Sequence, residues 1–478
     1  MSRACLPTAL TMGFCMVFGS FAFAFTPTLT VTSPHSGTTI ESPVHFVASA
    51  SSPACANGVS AVGVYTSAGI LAYSATGSRL NTYIPLASGS YNPVVQVWDN
   101  CGGVAKVPLN ISVQGQIQPI GHLYTVSSNY YFGNTINQVN GFQLLPNGAL
   151  APTGQAPVKA NVFPMAVAGD KGGFRLYVGD YVSGDVFAYY IYRNDGYLVP
   201  VPGSPFPVNH SVTAVAVHPS GAFVYATRDE NAAGDGIEVF RVQSNGSLAA
   251  IPGTPYSTEN GPQALVVDPS GKYLYVADAT GFIDAFNIDQ TSGALTPLPG
   301  SPFKLSTTKP ACGPFPDDII DPIGKRLYTS NAFDDSISGF KIAATVGTIS
   351  QIAGSPWPDD GGCNINDPSS AFNPESITID GTGKFLYGIN GDVEDIAIYS
   401  VQSNGALKFL RYTPNTSACG GPIRTDPKGN YLYAVGCANT GSPGIVEYTI
   451  NHTNGNLTRL ASSPMIVNVP IMSFAVTP

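Results

Sequence analysis

Charge is scarce in this chain. Asp, Glu, Lys and Arg make up 11% of its 478 residues, against about 25% in an ordinary soluble domain. Coiled coils, helical solenoids and polyampholyte disorder all need many charges, so those classes fall away. Lys and Arg together number 21 and the net charge is −9, which leaves no basic footprint for nucleic acid. The six histidines are scattered and no Cys-x-x-Cys occurs, so a Cys/His zinc site is not expected. Beyond the N-terminus no apolar run is long enough to span a bilayer. Glycine (52) and proline (40) are plentiful instead, and they interrupt helices about every fifth position. With 44% hydrophobic residues and 24 each of Phe and Tyr, the chain can still build large cores. The composition points to an all-β fold.

Residues 1–24 read as an export signal. Arg3 supplies a positive start, Leu6 to Phe23 is apolar apart from small or hydroxylated residues, and Ala22-Phe23-Ala24 forms a small-x-small cleavage pattern. A single membrane anchor is the competing reading, but Pro7 and the polar Thr26-Pro27-Thr28 fit a processed signal better. An exported protein, periplasmic or extracellular, is expected. Cleavage would leave six cysteines, and an even number in an exported chain reads as disulfides. Of their 15 pairings, the register of the repeats described below favours Cys55–Cys101, Cys312–Cys363 and Cys419–Cys437.

Residues 27–113 alternate apolar and polar in short runs, such as Val44-His45-Phe46-Val47-Ala48 and Val94-Val95-Gln96-Val97-Trp98. About seven such strands in this length suit a small immunoglobulin-like β-sandwich. Cys55 and Cys101 fall in loops after two of the strands, which is not the inter-sheet pair of antibody domains. Residues 114–119 read as a linker.

From residue 120 a repeat takes over. An aliphatic residue followed by Tyr recurs as Leu123-Tyr124, Leu176-Tyr177, Val224-Tyr225, Leu274-Tyr275, Leu327-Tyr328, Leu386-Tyr387 and Leu432-Tyr433, at intervals of 53, 48, 50, 53, 59 and 46 residues. Four short strands with their turns need a period of that size. A turn such as Asp268-Pro269-Ser270-Gly271 precedes the Leu-Tyr strand, and an alternating strand ending in an aromatic follows it. Asn-Gly hairpins come next, as at Asn245-Gly246 and Asn404-Gly405. Gly-Ser-Pro-aromatic closes several units, at 203–206, 300–303 and 354–357. Each unit is therefore a four-stranded blade with Leu-Tyr on its second strand, and seven units make a seven-bladed β-propeller over residues 120–478. The first unit lacks an inner strand; Ile471 to Val476 supplies it and closes the ring, removing an open sheet edge.

These elements, above all Asp-Pro-Ser-Gly-Lys-Tyr-Leu-Tyr-Val (268–276) and the Gly-x-Leu hairpins, resemble the seven-bladed lactonase propellers, the 6-phosphogluconolactonase-like proteins, and the related YVTN-type repeats. The resemblance implies lactone opening, which needs a base for water and donors for the developing oxyanion. Enzymes of the family place Gly-Pro-Arg-His just before an inner strand; here Gly261-Pro262-Gln263-Ala264 stands there. They also carry a His-x-His before another inner strand, where Asn209-His210-Ser211-Val212-Thr213 offers one histidine about a residue out of register. With the arginine and histidine absent, the main expectation is an exported propeller that binds a ligand or partner, its sandwich acting as a spacer or adhesion module. A lactone hydrolase, a carboxylic-ester hydrolase, is the alternative.

The loops between second and third strands and those joining blades converge on one mouth of a propeller, the default pocket. The first kind carries Asp180, Arg228-Asp229-Glu230, Asp278, Asn331 with Asp334-Asp335, and Asn390 with Asp392, Glu394 and Asp395; the second brings Asp317-Asp318, Glu375 and Arg424. A calcium site of oxygen ligands is one reading of these carboxylates, and a catalytic base among Asp317, Asp318 and Glu375 is another. The plainer reading is that Asp and Asn are turn formers. Arg228, Arg424 and Gln263 are the candidate ligand-binding residues, the arginines as clamps for a carboxylate or phosphate. Tyr275 and its equivalents are expected to pack between blades, and Phe206, Tyr256, Phe303 and Trp357 to anchor blade edges. A small-molecule or cell-surface ligand, no membrane span once the signal is cleaved, and a monomer complete the expectation.

Overall fold

The computed structural model describes residues 26–84, 86–116, 119–128, 137–229, 235–259, 261–305, 318–320, 325–331, 336–358, 376–390, 395–413, 418–437, 443–467 and 469–478. The chain divides into two compact units, Met1–Gln116 and Ile117–Pro478. Among the described residues all regular structure is strand, and no helix is long and apolar enough to cross a membrane.

The first unit is a sandwich whose sheets surround one core. Thr28–Ser33, Val44–Ser51 and Arg79–Ile84 form one sheet, and Ile70–Thr76, Val59–Ser67, Val94–Asp99 and Val104–Pro108 another. A third joins Thr39–Ser42 to Ile111–Gln116 and Gly89–Tyr91. The unit thus holds ten strands rather than about seven, because short edge pieces without strong alternation also pair. Alternation decides what is inside: Phe46, Val62, Val64, Val95 and Val97 are completely buried in the shared core, and their sequence neighbours face away from it. Cys55 and Cys101 form a disulfide with a Cα–Cα distance of 5.8 Å. Asp99 lies beside it, but its carboxylate is spent on the Ser52 hydroxyl (2.7 Å) and the N–H groups of Cys101 (3.0 Å) and Gly103 (2.6 Å). With the two sulfurs bonded to each other, this group is a staple rather than a metal site.

Among its described residues the second unit contains seven antiparallel sheets. Six run through their strands in chain order. The other begins with the C-terminal strand Ile471–Thr477, which pairs antiparallel with Gly121–Ser128 and so provides the innermost strand of blade one.

The Leu-Tyr dyad works because successive strand residues point to opposite faces. In every blade the tyrosine packs on the next blade while the aliphatic packs on the one before. Tyr124 clusters with Leu176, Tyr177 with Val224, Tyr225 with Leu274, Tyr275 with Leu327, Tyr328 with Leu386, Tyr387 with Leu432 and Tyr433 with Leu123. Five of these tyrosines also donate a hydrogen bond to a hairpin glycine carbonyl of the next blade: Tyr124 to Gly196, Tyr275 to Gly347, Tyr328 to Gly405, Tyr387 to Gly455 and Tyr433 to Gly148. One dipeptide therefore serves two interfaces.

The closing Gly-Ser-Pro-aromatic element has its own physical role. Its aromatic end pairs back onto the third strand as a short fifth segment, as Phe303–Lys304 does on Phe282–Ile288. Between that segment and the fourth strand, one third-strand N–H has no ladder partner. The hydroxyl before proline accepts it: Ser204 from Ala188 (3.1 Å), Thr254 from Val239 (3.0 Å), Ser301 from Ala285 (2.9 Å), Ser355 from Gly339 (2.8 Å) and Ser463 from Glu447 (3.0 Å). Phe206, Tyr256, Phe303 and Trp357 then pack against the blade-interface clusters, as edge anchors do.

Candidate functional site

The inner strands surround a cavity of about 330 Å³ lined from six blades. Most of its wall is small or apolar, including Ala166, Val215 and Leu265. The polar part comes from Thr213 of blade three, Gln263 of blade four, Ser376 of blade six, Arg424 of blade seven and Ser473 of the closing strand in blade one. Arg424 is half-buried, and its Nη1 donates to the Ser376 hydroxyl at 2.9 Å and to the Ile423 carbonyl at 2.8 Å. Ser376 is itself buried and also accepts the Ile423 N–H at 3.3 Å. Thr213 donates to the Pro262 carbonyl at 2.6 Å, tying blade three to the start of the strand that carries Gln263. Two of the three ligand-binding candidates, Gln263 and Arg424, are thus brought together from positions far apart in the chain.

Arg228 stands apart from that cavity. It ends the second strand of blade three, Phe223–Arg228, and its guanidinium donates to Nε2 of His210. His210 follows Asn209, which has a left-handed φ of 66°. Asn209 and His210, together with Val182, Ser183, Gly184, Ser211 and Asp229, line a second cavity of about 450 Å³. Gly184 is needed there, since a Cβ at that position would lie 2.7 Å from the His210 backbone nitrogen. Gly261 links the two cavities: a Cβ on it would sit 3.7 Å from Gln263 Nε2 and 4.0 Å from an Asp229 carboxylate oxygen.

The acids of the rim divide by what their oxygens do. Asp180 accepts four backbone N–H groups, from Val162 and Phe163 on one oxygen and Val182 and Ser183 on the other. It is a turn former, not a ligand in waiting. Asp278 spends one oxygen on Thr280 and Phe282, and burial raises its pKa. Asp284, nearby on the third strand, is pushed up to about 6 by burial, with the charges of Asp278 and Glu259 adding to the effect. Asp235 holds the Gly261 N–H at 2.7 Å and so shapes the approach to Gln263.

Of the candidate bases, Asp317 and Glu375 lie outside the described residues, as do Glu230, Asp334, Asp335, Asp392 and Glu394. Asp318 opens the inner strand Asp318–Ile320, its backbone paired with Thr329. Cys312 and Cys363 are likewise outside the described residues, while Cys419 and Cys437 fall on the neighbouring strands Ala418–Thr425 and Tyr431–Cys437. Sequence reasoning passed over Ser376 and Thr213, the hydroxyls that seat Arg424 and the blade-four strand. Both begin or precede an inner strand, the register at which channel residues recur.

The model of the lactonase, 7-bladed β-propeller family matches residues 197–312 and 363–474. The propeller belongs to this lactonase family. No curated protein matches the chain. Among solved structures, a candidate 6-phosphogluconolactonase of Bacteroides fragilis is similar at 22% identity and a TM-score of 0.58, over 75% of this chain and 99% of its own. One of Bacteroides uniformis is similar at 20% and 0.59, over 76% and 100%. The periplasmic gluconolactonase of Pseudomonas aeruginosa is similar at 15% and 0.59, over 75% and 99%. At such identities these likenesses speak for the fold. Gln263, which stands where the sequence resemblance implies an arginine, shares its cavity with the guanidinium of Arg424.

Proposed function

We propose that the chain is a hydrolase that opens the ring of a sugar lactone at the channel mouth. This reverses the order expected from sequence, where ligand binding came first because Gln263 replaces the family's arginine. The observation carrying the reversal is that Arg424 and Gln263 line one cavity. A cation missing on blade four is thereby supplied by blade seven.

In the proposed reaction a carboxylate removes a proton from water, whose oxygen attacks the lactone carbonyl carbon. Negative charge gathers on the carbonyl oxygen, where Arg424 and the Gln263 amide donate. Collapse breaks the bond to the ring oxygen, which takes the proton from the base, and the hydroxy acid leaves, its new carboxyl group losing a proton to solvent. Glu375, next in the chain to Ser376, is the assigned base, with Asp317 and Asp318 as the other candidates carried over from the sequence. Asp229 is a further candidate at the second cavity. His210 is not assigned as the base, because its Nε2 accepts from Arg228; Arg228 is assigned to hold the anionic end of the substrate. An exported location, periplasmic or extracellular, goes with this proposal and draws support from the Cys55–Cys101 disulfide. A ring closed within one chain supports a monomer.

The test is acid release from gluconolactone and 6-phosphogluconolactone above the uncatalysed rate, with and without EDTA. Turnover that falls in both Arg424→Gln and Glu375→Gln supports the assignment. Saturable lactone binding without acid release returns the binding reading and rejects the hydrolase.

A further inference from the structure

The sandwich carries a cavity of its own, about 870 Å³, on the side of its four-stranded sheet that faces away from the core. That is within the ~300–1,000 Å³ of small-molecule sites. Its floor is Gln96. The flanking Val95 and Val97 are fully buried in the core, so alternation sends Gln96 to the opposite face. There it would ordinarily be exposed, yet it is only 8% exposed. Its side-chain amide nevertheless has no hydrogen-bond partner among the described residues. The amide atoms themselves are not sealed off, so this otherwise covered side chain offers both a donor and an acceptor to the trough.

The neighbours define what that something is. Tyr65, opposite Val94 and so diagonal to Gln96, lends the wall an aromatic ring, which tilts against Trp98 with centroids 6.2 Å apart. Lys106 sits directly opposite Gln96 on the next strand, and Ser67 at the end of Val59–Ser67, Ser90 within Gly89–Tyr91 and Asn92 just after it complete the polar lining. None of these five polar side chains has a protein partner among the described residues either. Aromatic ring, amide and hydroxyls around an open trough are the groups that hold a sugar: the ring covers an apolar C–H face while the amide bridges neighbouring hydroxyls. Lys106 contributes the one cationic group of the lining, and no carboxylate accompanies it. The trough opens on the face of the sheet rather than along its edge, so a peptide adding to a free sheet edge is not the mode this geometry serves.

We propose that this trough binds an acidic glycan, a sugar residue whose carboxylate meets Lys106 while Gln96 and Tyr65 hold its ring. The site is independent of the lactonase reading, since every lining residue belongs to the sandwich. Titration calorimetry of the full chain with trigalacturonate and with maltotriose tests it. Trigalacturonate should bind, at least tenfold more weakly in Gln96→Leu and in Tyr65→Ala, and Lys106→Gln should abolish the preference over maltotriose. Lactone turnover should be the same in all three variants. Absence of binding by the native chain, equal binding of both trisaccharides, or full binding in Tyr65→Ala would overturn the proposal. Tyr65→Ala and Lys106→Gln change half-exposed or exposed side chains, so the test survives should Gln96→Leu not fold.

Discussion

Tyr433 donates its hydroxyl to the Gly148 carbonyl at 2.9 Å, joining the seventh blade to the first across 285 residues. The same bond recurs at four other seams, but at two it is missing: the hydroxyls of Tyr177 and Tyr225 are buried without a partner among the described residues. The repeat therefore contains its own control.

Tyr433→Phe should lower stability by about 1 kcal/mol, the net worth of a hydrogen bond whose loss leaves a buried carbonyl unmet. Tyr177→Phe should be neutral or slightly stabilising, because it removes a buried hydroxyl that bonds to nothing. Thermal denaturation of the two variants side by side reads the difference. Equal losses would mean that the ring alone, not the hydroxyl, holds the seam.

The same seam holds a buried acid. Glu447 accepts the Leu150 N–H at 2.8 Å across the closure, and burial pushes its pKa up to about 7, only partly offset by that bond. A carboxyl raised in the folded state favours folding while protonated, and the benefit is lost as pH rises from about 4.5 through 7. Glu447→Gln keeps the acceptor and removes the charge. Its melting temperature should match the native chain at pH 4 and exceed it at pH 8, by an amount equivalent to roughly 2–3 kcal/mol at most. A variant less stable than the native chain at pH 8 would contradict this.

Ser301→Ala should cost about 1–2 kcal/mol, because it strands the Ala285 N–H inside blade four. Ser301→Thr should cost far less, since Thr254 does the same work in blade three. Urea unfolding of both variants compares them directly. Similar midpoints for the two would show that the hydroxyl is not what matters.

On the lactonase reading, Arg424→Gln should lower kcat/KM for lactone on the order of 10²–10³, the range for losing one oxyanion donor. Gln263→Arg, which puts the family's arginine back on blade four, should recover part of that loss in the double variant. Initial rates over the spontaneous background measure both. Unchanged rates in Arg424→Gln would remove this residue from the site.

Much of the ring was legible before any coordinates. The Leu-Tyr dyads, the Asp-Pro turns and the Asn-Gly hairpins are local signals, each decided by a few neighbouring residues, and they recur often enough to count blades. The C-terminal strand was legible for the same reason: Thr477-Pro478 occupies the place where other blades have Asp-Pro, and its pairing with Gly121–Ser128 follows. The acids were legible only as types. Asp180 and Asp278 hold equivalent places, but the first meets four N–H groups and the second leaves one oxygen without a hydrogen bond.

Scarce charge together with abundant glycine and proline determined that this chain would be strand and turn, and the repeat determined that its larger part would close as seven blades. Which of the few charged and amide side chains share a space was decided only by tertiary structure. Arg424 and Gln263 share a cavity because ring closure brings blades four and seven around one channel, and Gln96 and Lys106 share a trough because their strands pair. Those contacts depend on how distant segments pack, whereas the repeat is written in bonds between near neighbours.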